Sequence, residues 1–183
     1  MDGPRDTPER KPPRKVTPAY LERAAMAYLE RFASSAENLR RVLRRKVEKR
    51  CRLRDEDPAE FYEAVDEVVA RAARTGLIDD TRYAEARVAS LRRRGGSARA
   101  IQAKLAQKGV PKDTIAAALE GEPEDEHTAA HALARRRKLG PYRPGERGPY
   151  RDKDLAAMAR AGFSYGVARD VIDGESPDER SPA

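Results

Sequence analysis

The chain of 183 residues holds one cysteine, no tryptophan, three phenylalanines and seven tyrosines. A lone thiol, Cys51, excludes an internal disulfide and leaves a cysteine metal cluster without members. With aromatics at 5 %, a single deep core is poorly supplied with large side chains. Amides are scarcer still, for Asn38 is the only asparagine and Gln102 and Gln107 are the only glutamines. Paired amide contacts to adenine are therefore nearly absent from the repertoire, which argues against reading a specific duplex sequence. No stretch approaches ~18 uninterrupted apolar residues, so no membrane span is expected. Residues 1–17 lack the apolar segment of a secretory leader, and a cytoplasmic protein is the expectation.

What the chain has in quantity is charge. Charged residues make up 38 %, and 38 Lys+Arg against 31 Asp+Glu leave a net +7, an excess that favours a polyanionic partner. The charge comes in blocks. Residues 35–54 are net +7, 87–108 are net +7 and 135–153 are net +6, while 55–86, 109–134 and 154–183 are −7, −5 and −3. Arg40, Arg41, Arg44, Arg45 and Lys49 sit at helical spacing on one side. Arg92, Arg93, Arg94, Arg99, Lys104 and Lys108 flank a glycine pair, and Arg136, Arg137 and Arg151 belong to the third block. Two readings stand: solvated surfaces paired within the chain, or one cationic face that recurs with each block. The regular recurrence favours the second, with phosphate contact that ignores base sequence.

The blocks follow a repeat of helices. Residues 1–17 carry four prolines, eight charges and one aliphatic residue, Val16, and read as a disordered basic tail; residues 174–183 read as a second one. Between them, Thr17-Pro18 opens a helix with Leu21, Ala25, Tyr28, Leu29 and Phe32 on one stripe. Ser34-Ser35-Ala36-Glu37 and Asp57-Pro58-Ala59-Glu60 read as capping boxes, Asp79-Asp80 caps another helix, and Ser97 opens the next after Gly95-Gly96. Leu105, Gly109, Val110, Ile115 and Leu119 share their spacing with Met158, Gly162, Phe163, Ala168 and Ile172. In the first third, Val47 stands where the glycine stop would be. The result is an all-α chain of about nine helices in three tandem three-helix repeats, spanning 18–76, 77–121 and 122–173. Units of this size are expected to stack in a solenoid-like array. Residues 139–150 form an insertion in the third repeat, with Gly-Pro-Tyr-Arg twice. Tyr142 and Tyr150 there are candidates for stacking on unpaired bases, against the reading of a plain linker.

Candidates for chemistry are few. Asp79 and Asp80 precede a helical stripe and read as a cap. His127 and His131 stand at i, i+4 without further ligands nearby, so no metal site is expected. Cys51 lies between Arg50 and Arg52, which would lower its pKa if the thiol faced them. No phosphate loop or nucleophile elbow is present, and neither a catalytic group nor a cofactor is expected.

The run Gly76-Leu77-Ile78-Asp79-Asp80-Thr81-Arg82-Tyr83-Ala84, then Arg92-Arg93-Arg94-Gly95, then Ile101 through Val110, resembles the central repeat of RecX-type regulatory proteins. Ala161-Gly162-Phe163-Ser164-Tyr165 resembles a turn of that family's last repeat. The resemblance covers about 18–173 and implies three tandem three-helix repeats in an elongated, curved, right-handed or solenoid-like molecule. It also implies a monomer that lies along the RecA–DNA filament, and inhibits or destabilises it. Recombinase, ATPase and coprotease activities would fall, with consequences for recombination, repair and SOS control. The alternative is a helical module that binds nucleic acid without a recombinase partner.

Overall fold

In a computed structural model, residues 13–175 are described, and they are helical with no strand among them. The chain divides into two compact units, one running through Ile78 and the other from Asp79 onward.

The first unit packs three helices, α1 (Pro18–Leu29), α2 (Ala36–Arg52) and α3 (Tyr62–Arg74), around one apolar cluster. Thr17 caps α1 by accepting from Tyr20 N at 3.2 Å, and Ser35 caps α2 by accepting from Asn38 N at 3.2 Å. Each cap satisfies an amide that has no partner within its helix. Leu39, Leu43, Val47 and Cys51 recur at i, i+4 along α2 and are all fully buried. A stripe this regular needs no glycine stop, so α2 runs on through Val47 to Arg52.

Three expectations are corrected in this unit. Phe32 is 50 % exposed, because α1 ends at Leu29 before reaching it; its ring lies on Tyr28 instead, 5.2 Å between centroids. Asp57 accepts from Ala59 N at 2.9 Å, two residues on, so it closes a 3-10 turn over Pro58–Phe61 and α3 begins only at Tyr62. The expected N-terminal tail also reaches further into structure than its composition suggests. Residues 1–12 lie outside the described residues, but Val16 is 4 % exposed within the core cluster. Arg50 and Arg54 donate to the carbonyls of Arg14 and Pro13, both at 2.9 Å. One apolar side chain with two fastened carbonyls offsets the entropy that composition alone would leave unopposed.

The second unit contains α4 (Asp80–Arg93), α5 (Ala98–Gln107), α6 (Lys112–Glu120), α7 (Glu126–Arg137), α8 (Arg151–Arg160) and α9 (Tyr165–Asp173). Its apolar residues form two clusters. Ala84, Val88, Leu91, Ile101, Leu105, Val110, Ile115 and Ala118 hold α4 to α6. Ala129, Ala130, Leu133, Ala134, Met158, Phe163, Val171 and Ile172 are central to the cluster of α7 to α9. The fold is thus all-α with a repeated three-helix domain. No helix among the described residues is long and apolar enough to cross a membrane.

The insertion at 139–150 is neither a plain linker nor a pair of open stacking rings. Asp154, 2 % exposed, accepts from Gly140 N at 2.8 Å and from the Arg143 guanidinium, which pins the loop's first half to α8. Both Gly-Pro-Tyr segments form short 3-10 turns. Tyr142 is half-buried, with its hydroxyl 3.0 Å from His131 Nδ1 and Arg135 over its ring, so it packs and does not present a free face. Tyr150 differs: it is 43 % exposed, with Arg143 4.3 Å and Lys153 5.6 Å from its ring centre.

Candidate polyanion-binding site

The three basic blocks put fourteen arginines and lysines, Arg151 among them, in one class. Their partners divide them. On α2, Arg40 donates to Asp66 of α3 at 2.8 Å and also to Glu37, while Arg44 reaches Asp66 at 3.2 Å with its guanidinium 4.7 Å above the Tyr62 ring. Arg41 pairs with Glu37 at 2.9 Å. Burial pushes the Glu37 carboxyl up, but hydrogen bonds from Arg40 and Arg41 outweigh it and hold the group below its usual value. Arg45 and Lys49 remain exposed and face no carboxylate within 4 Å among the described residues. Part of this first block therefore ties α2 to α3, and reversing all four arginines would disturb the fold as well as any contact.

In the second unit Arg92 is not a surface cation, which corrects its place on the expected face. It is 5 % exposed and donates to the Gly96 carbonyl at 3.2 Å and to Glu126. The same carboxylate accepts from Ala98 N at 3.1 Å. One ion pair thereby joins the end of α4, the start of α5 and the first turn of α7. Ser97 adds a second link: its hydroxyl caps α5 through Ala100 N at 3.2 Å and donates to the Ala161 carbonyl, beyond α8, at 2.7 Å. Arg151 is likewise occupied, held by both oxygens of Asp173 at 2.6 Å. The Asp173 partnership raises the Arg151 guanidinium further above its usual value and lowers the Asp173 carboxyl.

Five exposed cations of the second unit gather in one place. A cleft of about 390 Å3 opens where the α4–α5 turn meets the ends of α7 and α8. Leu91, Gly95, Gly96, Ala100, Leu133 and Ala161 line it, and Arg94, Lys104, Arg136, Arg137 and Arg160 supply its charge. No acidic residue is among its walls. All five cationic residues are exposed. Arg136 donates to the Arg94 carbonyl at 2.6 Å, which fixes its direction, and none of the five has a carboxylate within 4 Å among the described residues. The cleft exists because the two three-helix sets approach closely at Gly95, φ +76°, where an added Cβ would fall 2.5 Å from Leu133 N. Arg93, Arg99 and Lys108 lie outside the cleft walls and are exposed.

Arg160 is the member that the sequence reading missed. It sits in a stretch of net −3, so block arithmetic concealed it. The repeat register gave no signal either, since Arg160 aligns with Gln107, the last residue of the preceding repeat's middle helix.

The remaining candidates resolve locally. Asp79 accepts from Arg82 N at 2.9 Å and caps α4. His131 faces Tyr142, while His127 is exposed. No three His, Cys, Asp or Glu among the described residues could share a metal. Cys51 is buried, and burial pushes its thiol up in spite of the arginines beside it in sequence.

Several carboxylates give the fold an acid limit. The amide of Thr128 holds Asp125, the cap of α7, below its usual value, and Glu37 and Asp173 are lowered as described. A carboxyl with a lower pKa folded than unfolded stabilises fully above its unfolded value, and loses that contribution as pH falls through the folded one. Thermal stability is therefore expected to be flat near neutrality and to fall below the ordinary carboxylate range. Asp125→Asn keeps the capping oxygen without the charge and should lose less on acidification, as melts across that range would show.

A family model described as RecX, second three-helix domain, matches residues 79–119. The regulatory protein RecX of Myxococcus xanthus (strain DK1622) is 44 % identical over 177 residues, covering 93 % of this chain and 95 % of that protein. The regulatory protein RecX of Agrobacterium fabrum is 34 % identical over 155 residues, 84 % of this chain and 82 % of that one. A crystal structure of a regulatory protein RecX superposes with a TM-score of 0.61 at 23 % identity, covering 85 % of this chain and 71 % of that chain, and has the same fold.

Proposed function

Because the chain belongs to the RecX family of regulatory proteins, we propose that it is a non-enzymatic regulator of the RecA recombinase. In this reading it binds the RecA–DNA filament in the cytoplasm through its exposed cations and inhibits or destabilises the filament. The observation that carries the reading is the cleft of the second unit, where five cations converge without a carboxylate. A filament of protein on a phosphate backbone is a partner of the opposite charge and of repeating form. Arg93 and Arg99, exposed on the flanking helices of the same unit, extend the contact, whereas Arg40, Arg44, Arg92 and Arg151 serve mainly to hold helices together. Scarcity of amides supports a contact indifferent to base sequence.

The test is recombinase ATPase on single-stranded DNA, with co-sedimentation of the added protein. Substoichiometric addition is expected to lower the ATPase rate and to leave the protein with the filament. An unchanged rate together with no co-sedimentation overturns the reading. Tight binding to naked DNA with no effect on the filament would favour the module that works without a recombinase.

A further inference from the structure

We propose that the cleft between α4–α5 and the ends of α7 and α8 is a phosphate-binding site that takes the backbone of a single nucleic-acid strand, with Arg94, Lys104, Arg137 and Arg160 as its phosphate ligands. This deepens the filament reading by assigning one cleft to the nucleic acid, and it rests on that reading only for the setting in which the strand is met.

The fold does not explain these charges. Elsewhere in the same unit Arg92, Arg143, Arg151 and Arg169 each have a carboxylate partner. The four ligand residues have none among the described residues, and they come from four separate segments of chain. Like charges converging from several helices oppose folding, and a local feature that costs stability is where function is expected. Arg136 has a structural duty, the bond to the Arg94 carbonyl, and is left out of the ligand set.

The density and geometry of the charge select the anion that fits. A nucleic-acid strand carries one charge for every ~3.4 Å of rise without interruption. A peptide matches that density only if every residue is acidic, at about 3.3–3.6 Å per extended residue. Three of the four ligands are arginines, whose guanidinium fork pairs with two phosphate oxygens at once. A volume of about 390 Å3 admits one backbone, and the half-buried Ala100 and Ala161 give its sugars an apolar surface. Arg93 and Arg99, exposed on the flanking helices, continue the positive charge beyond the cleft, as a polymer requires and a small ion does not.

The experiment measures anisotropy of a labelled oligothymidylate with the full chain over a range of salt. Two variants, each four charges poorer, are compared: Arg94→Gln/Lys104→Gln/Arg137→Gln/Arg160→Gln in the cleft, and Arg45→Gln/Lys46→Gln/Lys49→Gln/Arg52→Gln on α2. Single strands give a log–log salt slope of about −0.7 per phosphate neutralised, so the cleft variant should lose roughly 2.8 of that slope. It should bind roughly tenfold or more weakly at ~0.1 M salt, and melt no lower than the parent. The α2 variant, of equal net charge, should keep most of the slope. Equal losses in both variants overturn the proposal, since charge and not the cleft would then matter. Unchanged oligothymidylate binding by the cleft variant, with loss of polyglutamate binding, overturns it in favour of an acidic protein ligand. Recombinase ATPase with the same proteins separates the two readings. Inhibition with an unaltered salt slope would sink the cleft and spare the filament reading, whereas the expected slope change without any inhibition would do the reverse.

Discussion

Replacing Glu126 by alanine is expected to destabilise the second unit by about 3 kcal/mol, near the lower end of the ~3–5 kcal/mol range for stranding one member of a buried ion pair. The lower end applies because the Glu126 side chain keeps 28 % of its exposure while that of Arg92 keeps 6 %. Without Glu126, the Arg92 guanidinium retains only the Gly96 carbonyl, and its Nε already has no partner. Ala98 N at the start of α5 loses its acceptor as well. A second substitution decides whether stranded charge is the cause. Arg92→Met in the Glu126→Ala background removes the buried cation while filling similar space, and should recover much of the loss. Urea midpoints, together with amide exchange in α5 and α7, would report it. A double variant as unstable as the single one would show that Glu126 acts through the Ala98 amide alone.

Gly95→Ala is expected to cost about 2–5 kcal/mol. An L-residue at φ +76° loses ~1–2 kcal/mol from its left-handed backbone. The added carbon must also displace the α7 backbone at Leu133 N and the Ala129 carbonyl, 2.5 and 2.9 Å away, at an overpacking cost of ~1–3 kcal/mol. Neither neighbour is a side chain that can rotate aside. Gly145→Ala provides the comparison, since Gly145 has φ +86° with nothing within 4 Å. It should show the backbone cost alone. The gap between the two alanine variants measures the close approach of the α4–α5 turn to α7, and with it the shape of the cleft. Oligothymidylate affinity should therefore fall with Gly95→Ala and stay put with Gly145→Ala. Equal costs in the two variants would mean that α7 shifts freely, and that the cleft is not held by this contact.

The Glu126 and Gly95 variants both act on contacts between residues about thirty or more positions apart. Sequence reasoning is weak at that range. Helix starts were legible because a cap depends on two or three neighbours, as Thr17, Asp79 and Ser97 demonstrate, while the box expected at Ser34–Glu37 lies one residue ahead of the observed cap, Ser35. The apolar stripe of α2 was legible because period 3.6 fixes which residues share a side. Phe32 was misplaced because a stripe does not announce where its helix ends, and Val16 because a lone apolar residue carries no period. The cations were legible as blocks and illegible as partners. Arg40 and Arg45 look alike along α2, yet only Arg40 meets Asp66, on another helix.

Charge blocks, caps and repeat register follow from neighbours along the chain, and by themselves they determined an all-α protein of repeated three-helix domains whose positive charge comes in blocks. Packing alone decided which of those charges are spent inside the fold. It buried Arg92 against Glu126, locked Arg151 to Asp173, and brought Arg160 from an acidic segment to stand with Arg94, Lys104 and Arg137. The physical reason is range. Capping and amphipathicity act within one or two helical turns, whereas ion pairing and cleft formation depend on which helices touch.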